Sequence, residues 1–175
     1  MEKNILSVRE IEEKDITLIA DYWFNSGPGH LEGMGVDMFK MPSREQFMTT
    51  LLSQLPLPYE DKKAYGLVWE VDGESIGHCN VNPIIFAKEA SMHLHIWKGN
   101  ARNKGYGADL IKMSLPYFFK NLQLEHIYSE PFALNPAPNR TLQKAGFTFV
   151  KEYITSPGAI TFEQPVIQWE IKCKI

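Results

Sequence analysis

The stretch Lys98 to Ile111, KGNARNKGYGADLI, sets Arg102, Asn103, Lys104, Gly105, Tyr106 and Gly107 in the spacing R-x-x-G-x-G just ahead of a helical pattern. Glycines let successive backbone N–H groups turn inward, and a helix start behind them adds partial positive charge. A pyrophosphate can then be held by amides, with Arg102 and Lys104 adding charge at the rim. Two nucleotide fingerprints fail on these residues. A Walker loop needs Gly-Lys followed by Ser or Thr. The dinucleotide pattern from Gly105 and Gly107 meets Leu110 where its third glycine belongs. Taken alone, the loop is also accounted for as a structural glycine turn.

Other residues carry acid–base chemistry. His93 and His95 alternate to one face of a strand, and an imidazole takes a proton near neutral pH; the competing account is a pair of sheet histidines hydrogen-bonded in place. With His78 they would make three of the ligands a zinc hydrolase needs, a weaker alternative. Glu130 serves as a base, as an anchor for a cationic substrate, or as an ordinary strand-end ion pair. His30 and Glu32 lie in the segment HLEGMGVDMFK, whose Met and Phe must bury somewhere, which favours a substrate wall over a surface loop. Tyr22, Trp23, Phe24, Trp97 and Trp169 read as packing residues.

These groups need a scaffold. ILSVREI reads as a strand, and Ile16, Ile19, Ala20, Trp23 and Phe24 recur at helical spacing until Asn25-Ser26-Gly27-Pro28-Gly29 ends the helix. Ser43 with Gln46 forms a capping box ahead of a second helix, with Phe47, Leu51 and Leu55 as its buried stripe and Pro56 and Pro58 as its stop. Asp72-Gly73 between YGLVWEV and ESIGHCNV is a type I′ hairpin signal. SMHLHIW is a further strand, followed by a helix from Tyr106 to Leu122 in which Pro116 predicts a kink. HIYSEPF is a short strand and NPAPNRTLQKAG a compact helix stopped by Gly146. FTFVKEYI and PVIQWEIK close a hairpin around Ser156-Pro157-Gly158. The order β, α, α, three antiparallel strands, α, β, α and two strands predicts an α/β (α+β) fold with helices on both faces of a mixed sheet.

The chain has 175 residues, enough for a single domain over 1–175 that buries roughly two-thirds of its unfolded surface. A 44% apolar and 22% charged composition is that of a globular protein, and a net charge of −3 argues against a nucleic-acid partner. No segment reaches the ~20 apolar residues of a membrane span, and the N-terminus lacks a secretory h-region, which points to the cytoplasm. Cys79 and Cys173, far apart and without metal spacing, read as free thiols.

The loop and the later stretch EPFALNPAPNRTLQKAGF, Glu130 to Phe147, occur in the order strand, loop, helix, strand and Asn-led helix. Together they resemble the GCN5-related N-acetyltransferase superfamily, in particular its ribosomal-protein N-terminal acetyltransferase branch. The resemblance implies a mostly antiparallel sheet of about seven strands flanked by about four helices, with a splay between the SMHLHIW and HIYSEPF strands. It implies acetyl-CoA as co-substrate and no metal. His95, Ile96 and Trp97 would offer backbone groups to the pantetheine arm, Arg102 to Ala108 would wrap the pyrophosphate, and Asn135, Asn139 and Arg140 would face the cofactor. The reaction implied is direct transfer to a primary amine of a small molecule or a protein N-terminus, with His93, His95 and Glu130 as catalytic candidates. Homodimers are common in the family. Two departures stand out: Ser91, Met92 and His93 occupy the neighbourhood of the family's strand glutamate, and Leu142 takes the place of its tyrosine acid. A catalytically silent acyl-CoA-binding domain is the alternative these departures raise.

Overall fold

The computed structural model describes residues 4–173, so the ends of the expected 1–175 domain, residues 1–3 and 174–175, lie outside the described residues. The strands are β1 (Leu6–Glu10), β2 (Tyr65–Val71), β3 (Glu74–Ile85), β4 (Glu89–Ile96), β5 (His126–Ser129), β6 (Thr148–Thr155) and β7 (Gln164–Lys172). The helices are α1 (Ile16–Asn25), α2 (Pro28–Glu32), α3 (Arg44–Gln54), α4 (Tyr106–Asn121) and α5 (Pro136–Ala145). The sheet runs β1-β2-β3-β4-β5-β7-β6, antiparallel at every pair except β4–β5.

Local chemistry sets most of these boundaries. Asp72 and Gly73 both take positive φ, 53° and 78°, as a type I′ turn demands. Ser43 Oγ accepts from Gln46 N at 3.1 Å while Gln46 Oε1 accepts from Ser43 N at 3.0 Å, closing the box that starts α3. Asn135 caps α5 through Ala137 N, and Gly146 ends it at φ 99°.

The described residues form five helices where about four are expected, the additional short one arising because Pro28 stands at the first turn of α2, where its fixed φ starts a helix. One expectation is corrected. The stripe Phe47, Leu51 and Leu55 of α3 is half-buried, and no residue of that helix is fully buried. Phe47 packs its edge on Trp23 and Phe24 of α1, at 6.3 and 5.6 Å between centroids, so α3 closes a cleft rather than a core. Pro116 lies inside α4, and the helix continues past it to Asn121.

The main core lies between the sheet and α4–α5, where Trp69, Met92 and Ile127 meet Leu110, Ile111, Phe118 and Leu142. Trp69 Nε1 donates to Ser114 Oγ at 2.9 Å, so the buried indole leaves no polar atom unpaired. On the opposite face α1 and α2 contribute Ile19, Tyr22, Trp23 and Leu31. The turn from β1 into α1 is fixed by Arg9, whose guanidinium donates to both carboxylate oxygens of buried Asp15, at 2.6 and 2.8 Å, and to Glu70 at 2.9 Å.

The parallel pair β4–β5 holds for three positions, Glu89 with His126, Ala90 with Ile127 and Ser91 with Tyr128. Ser129 Oγ then donates to Met92 O at 2.8 Å. Beyond that bond the chain leaves β4: Pro131 has no N–H to offer a ladder, Ile167 N donates to Pro131 O, and Ala133 N donates to Pro165 O. The two central strands therefore splay, as the family resemblance implies.

Burial alone would raise the Asp15 carboxyl, but the hydrogen bonds from Arg9 and the Glu12 amide outweigh it and hold it below its ordinary value. Arg9→Met strands that carboxylate, and urea unfolding at pH 7 should show a loss of about 3 kcal/mol. A depressed carboxyl contributes fully above its unfolded value and loses that contribution on acidification, so the gap between the two proteins should narrow as the pH falls below about 4.

Candidate active site

A cleft of about 1240 Å³ runs from the N-termini of α4 and α5, through the splay, to the faces of α1 and α3. At the splay the backbone of β4 decides what is available. Trp97 N donates to Ile76 O at 2.8 Å, and the register continues through His95 with His78 and His93 with Asn80. In an antiparallel ladder the peptides alternate between the two edges. His93, His95 and Trp97 therefore pair with β3, while Met92, Leu94 and Ile96 face β5. Ser129 takes the Met92 carbonyl, and Arg102 takes the Ile96 carbonyl through Nε and Nη2 at 3.1 and 2.9 Å. Leu94 is left with its N–H and C=O turned into the splay. Of His95, Ile96 and Trp97, the backbone trio expected at the pantetheine arm, only Ile96 faces that side. The difference is one of register: strand parity against β3 turns the Leu94 peptide, and not those of His95 and Trp97, into the splay.

Above the splay the loop turns through two left-handed residues, Asn103 at φ 60° and Gly105 at φ 85°. Gly105 is the N-cap of α4, so the first-turn amides, among them Gly107 and Ala108, have no helical acceptor and border the cleft. Gly107 serves another purpose: a Cβ there would sit 3.0 Å from Thr141 Cγ2, so its absence brings α4 against α5. Arg102, Asn103, Gly105, Tyr106, Gly107 and Ala108 line the cleft, and Lys104 is exposed outside it. Asn135 and Arg140 also border the cleft, with Lys144 beside them, giving its outer end a cationic rim. Asn139 does not. It is buried, donates to Phe132 O and Asn135 O at 3.2 and 2.8 Å, and accepts from Trp169 Nε1 at 2.8 Å. Its expected cofactor contact is corrected, since every polar atom of the side chain is already used.

The inner end collects the histidines. His95 stacks on His78 with ring centroids 4.6 Å apart and planes 22° apart, and meets Trp23 at 4.8 Å. Trp97 Nε1 donates to His78 Nδ1 at 2.7 Å, which fixes His78 as a neutral imidazole. Burial pushes His78 down to about 3 and holds His95 well below its ordinary value. Among the described residues no three His, Cys, Asp or Glu side chains converge on a metal position, and Cys79 and Cys173 are free thiols. Tyr22 OH lies 3.2 Å from His30 Nε2 and 3.4 Å from His95 Nδ1, and the Arg102 guanidinium reaches His30 at 3.2 Å. His30 thus lines the cleft, whereas Glu32 is exposed and outside it. His93 is separate from this stack: its Nε2 lies 2.9 Å from Asn82 O, which leaves Nδ1 bare. Glu130 borders the same part of the cleft, and its Oε1 accepts from Tyr153 OH and from Gln168 Nε2.

Residues 6–148 match the family model described as an acetyltransferase (GNAT) domain, which covers the loop, the splay and the Asn135 helix. The chain belongs to the GNAT acetyltransferase family. This acetyltransferase accordingly uses acetyl-CoA and transfers acetyl to an amine. No curated protein matches it by sequence. Among solved structures it is similar to the ribosomal L7/L12 alpha-N-protein acetyltransferase RimL in complex with coenzyme A, at 12% identity and TM-score 0.75, covering 95% of this chain and 93% of that one. It is also similar to the spermidine N-acetyltransferase of Vibrio cholerae in complex with CoA and spermine, at 19% identity and TM-score 0.73, covering 95% of both chains. A dodecameric form of the latter enzyme gives TM-score 0.70 at 19% identity, covering 95% and 93%. At these identities the likeness is one of fold. The described residues include no helix long and apolar enough to cross a membrane.

Sequence reasoning missed Leu94, whose part depends on which edge its peptide faces. It also missed Tyr153 and Gln168, which reach Glu130 only across the C-terminal hairpin. Tyr22 reads as core from its helical spacing and is indeed buried, yet its hydroxyl joins two histidines that line the cleft.

A histidine held neutral by burial contributes stability that is complete above its unfolded value, near pH 6.5, and is lost as the pH falls toward its folded value. His78 alone should cost about 2 kcal/mol of unfolding free energy between pH 7 and pH 5. Urea titrations across that range should show the loss, and His78→Gln, which retains an acceptor for Trp97 Nε1, should reduce it.

Proposed function

We propose that this chain acts over residues 1–175 as one cytoplasmic domain that acetylates a primary amine entering from the α1–α3 side, the acceptor being a small molecule or a protein N-terminus. The observation that carries it is the bare Leu94 peptide in the splay, lying between the free amides of α4 and the carboxylate of Glu130. These parts fit acetyl-CoA: amides and a cationic rim for phosphates, and a strand edge for an extended amide-bearing arm. The co-substrate supplies a thioester whose carbonyl the amine attacks.

The chain's own residues supply the rest. Glu130 Oε2, which receives no hydrogen bond among the described residues, holds the incoming ammonium. His93 Nδ1 takes its proton. Burial keeps this imidazole below its ordinary value, against the opposing pulls of the Asn82 carbonyl and Glu130, so it is a base at neutral pH. The Leu94 N–H donates to the oxygen on which charge gathers. With Leu142 buried where the family carries a tyrosine, no side chain protonates the leaving sulfur. The C–S bond breaks to a thiolate, and the second proton, which the nitrogen releases as the amide forms, goes to that sulfur or to solvent. The enclosed ring of His95 makes it a wall rather than a base. Homodimerisation through the C-terminal hairpin completes the proposal: β6 is an edge strand with Phe149 and Ile154 exposed.

Calorimetry should show acetyl-CoA binding, and Gly105→Val, which forces a β-branched residue to φ 85°, should weaken it by about tenfold or more. No binding to the parent protein would overturn the proposal. Thiol release under saturating amine tests the base. kcat should rise with pH and level off by about pH 6.5, and His93→Gln should lose that limb together with about 100-fold in rate. Binding without turnover of any amine would return the catalytically silent alternative.

A further inference from the structure

We infer that the acceptor is a monoamine carried on an aromatic body, an arylalkylamine, and not a polyamine or a polycationic sugar. The inference rests on acetyl transfer in the cleft described above and concerns the chemistry of its inner end.

Among the described residues only two carboxylates line the cleft, Glu10 and Glu130. Glu10 Oε1 accepts from the hydroxyls of Tyr59 and Tyr65, and the charge of this carboxylate acts on the ammonium of Lys62, which also lines the cleft. Glu130 gives one oxygen to Tyr153 and Gln168 and keeps the other, which is counter-charge for one ammonium beside His93. The surrounding ionisable groups do not favour a second cation. Arg102, Arg140, Lys144 and Lys62 are positive, and His30, His78 and His95 are neutral imidazoles that cannot balance a charge. An amine with another ammonium several bonds away would have to leave it desolvated among these groups.

The remaining wall suits a flat apolar body. Tyr22 and Trp23 meet edge to face at 5.5 Å, Trp23 meets Phe47 at 6.3 Å and His95 at 4.8 Å, and Leu51 lies one turn beyond Phe47 on the same helix. All five line the cleft. Rings set at such angles leave edges and faces that a further ring can complete. Because Phe47 and Leu51 are only half-buried within the protein, α3 retains apolar surface for a guest to cover.

The test compares 2-phenylethylamine and tryptamine with spermidine and putrescine in a thiol-release assay with acetyl-CoA. The aromatic monoamines should show a kcat/KM about 50-fold or more above that of spermidine. Phe47→Ala, on a half-buried side chain whose loss should leave the fold intact by circular dichroism, should raise KM for phenylethylamine about tenfold with kcat largely kept. A preference for spermidine, or a KM indifferent to Phe47→Ala, overturns the inference and leaves amine acetylation standing. If no amine is turned over, the transfer itself is in question and calorimetry on the CoA-saturated protein decides the pocket separately. Tighter binding of phenylethylamine than of spermidine upholds the aromatic site, and no such preference overturns it.

Discussion

The architecture turns on the place where two neighbouring strands stop pairing. β4 and β5 share three residue pairs and a serine bond, and then β5 yields to a segment that follows β7 instead. An unpaired peptide inside a sheet is costly unless something supplies its partner. Two of the three carbonyls that β4 turns to this side are satisfied within the chain, that of Met92 by Ser129 and that of Ile96 by Arg102. The third, Leu94, lies between them with its groups turned into the splay. The fold thus gathers its unfinished hydrogen bonding at the open end of β4, around Leu94, and surrounds that edge with the rest of the site.

Arg102 connects this peptide to everything around it. The sequence suggests a rim cation for phosphate, but the side chain turns back to hold the Ile96 carbonyl and reaches the ring of His30. The charge left at the outer rim of the cleft is that of Arg140 and Lys144, while the loop's arginine fixes the strand end and the α2 wall at once. His30, Tyr22 and His95 follow in hydrogen-bonding range. The outer and inner ends of the cleft are joined by four polar side chains.

How much of this is legible in the sequence depends on the range of the interactions. Ser43 with Gln46, Asp72 with Gly73, and Asn135 with Gly146 are local signals, and each places its boundary because the partners are a few residues apart. The helix at Pro28 is hidden because Gly-Pro-Gly reads equally as a stop and as a start. The half-buried stripe of α3 has the periodicity of a core helix, and periodicity does not reveal whether its neighbour is packed protein or a cleft. At the cleft, the residue types of the R-N-K-G-Y-G loop single out a segment that lines it, because glycines and a helix start are adjacent in sequence. The edge each β4 peptide faces is set by register with β3, which no local pattern encodes.

Asn139 illustrates the longest of these ranges. Its amide joins the Phe132 turn, the first turn of α5 and the indole of Trp169 on β7, so three segments distant in sequence meet at one side chain. The wall of the cleft at Asn135 and Arg140 is therefore braced from behind by β7, the last strand of the sheet in chain order. The C-terminal hairpin is thus a back-stop: its second strand also holds, through one amide, the turn and helix start that form the far side of the splay.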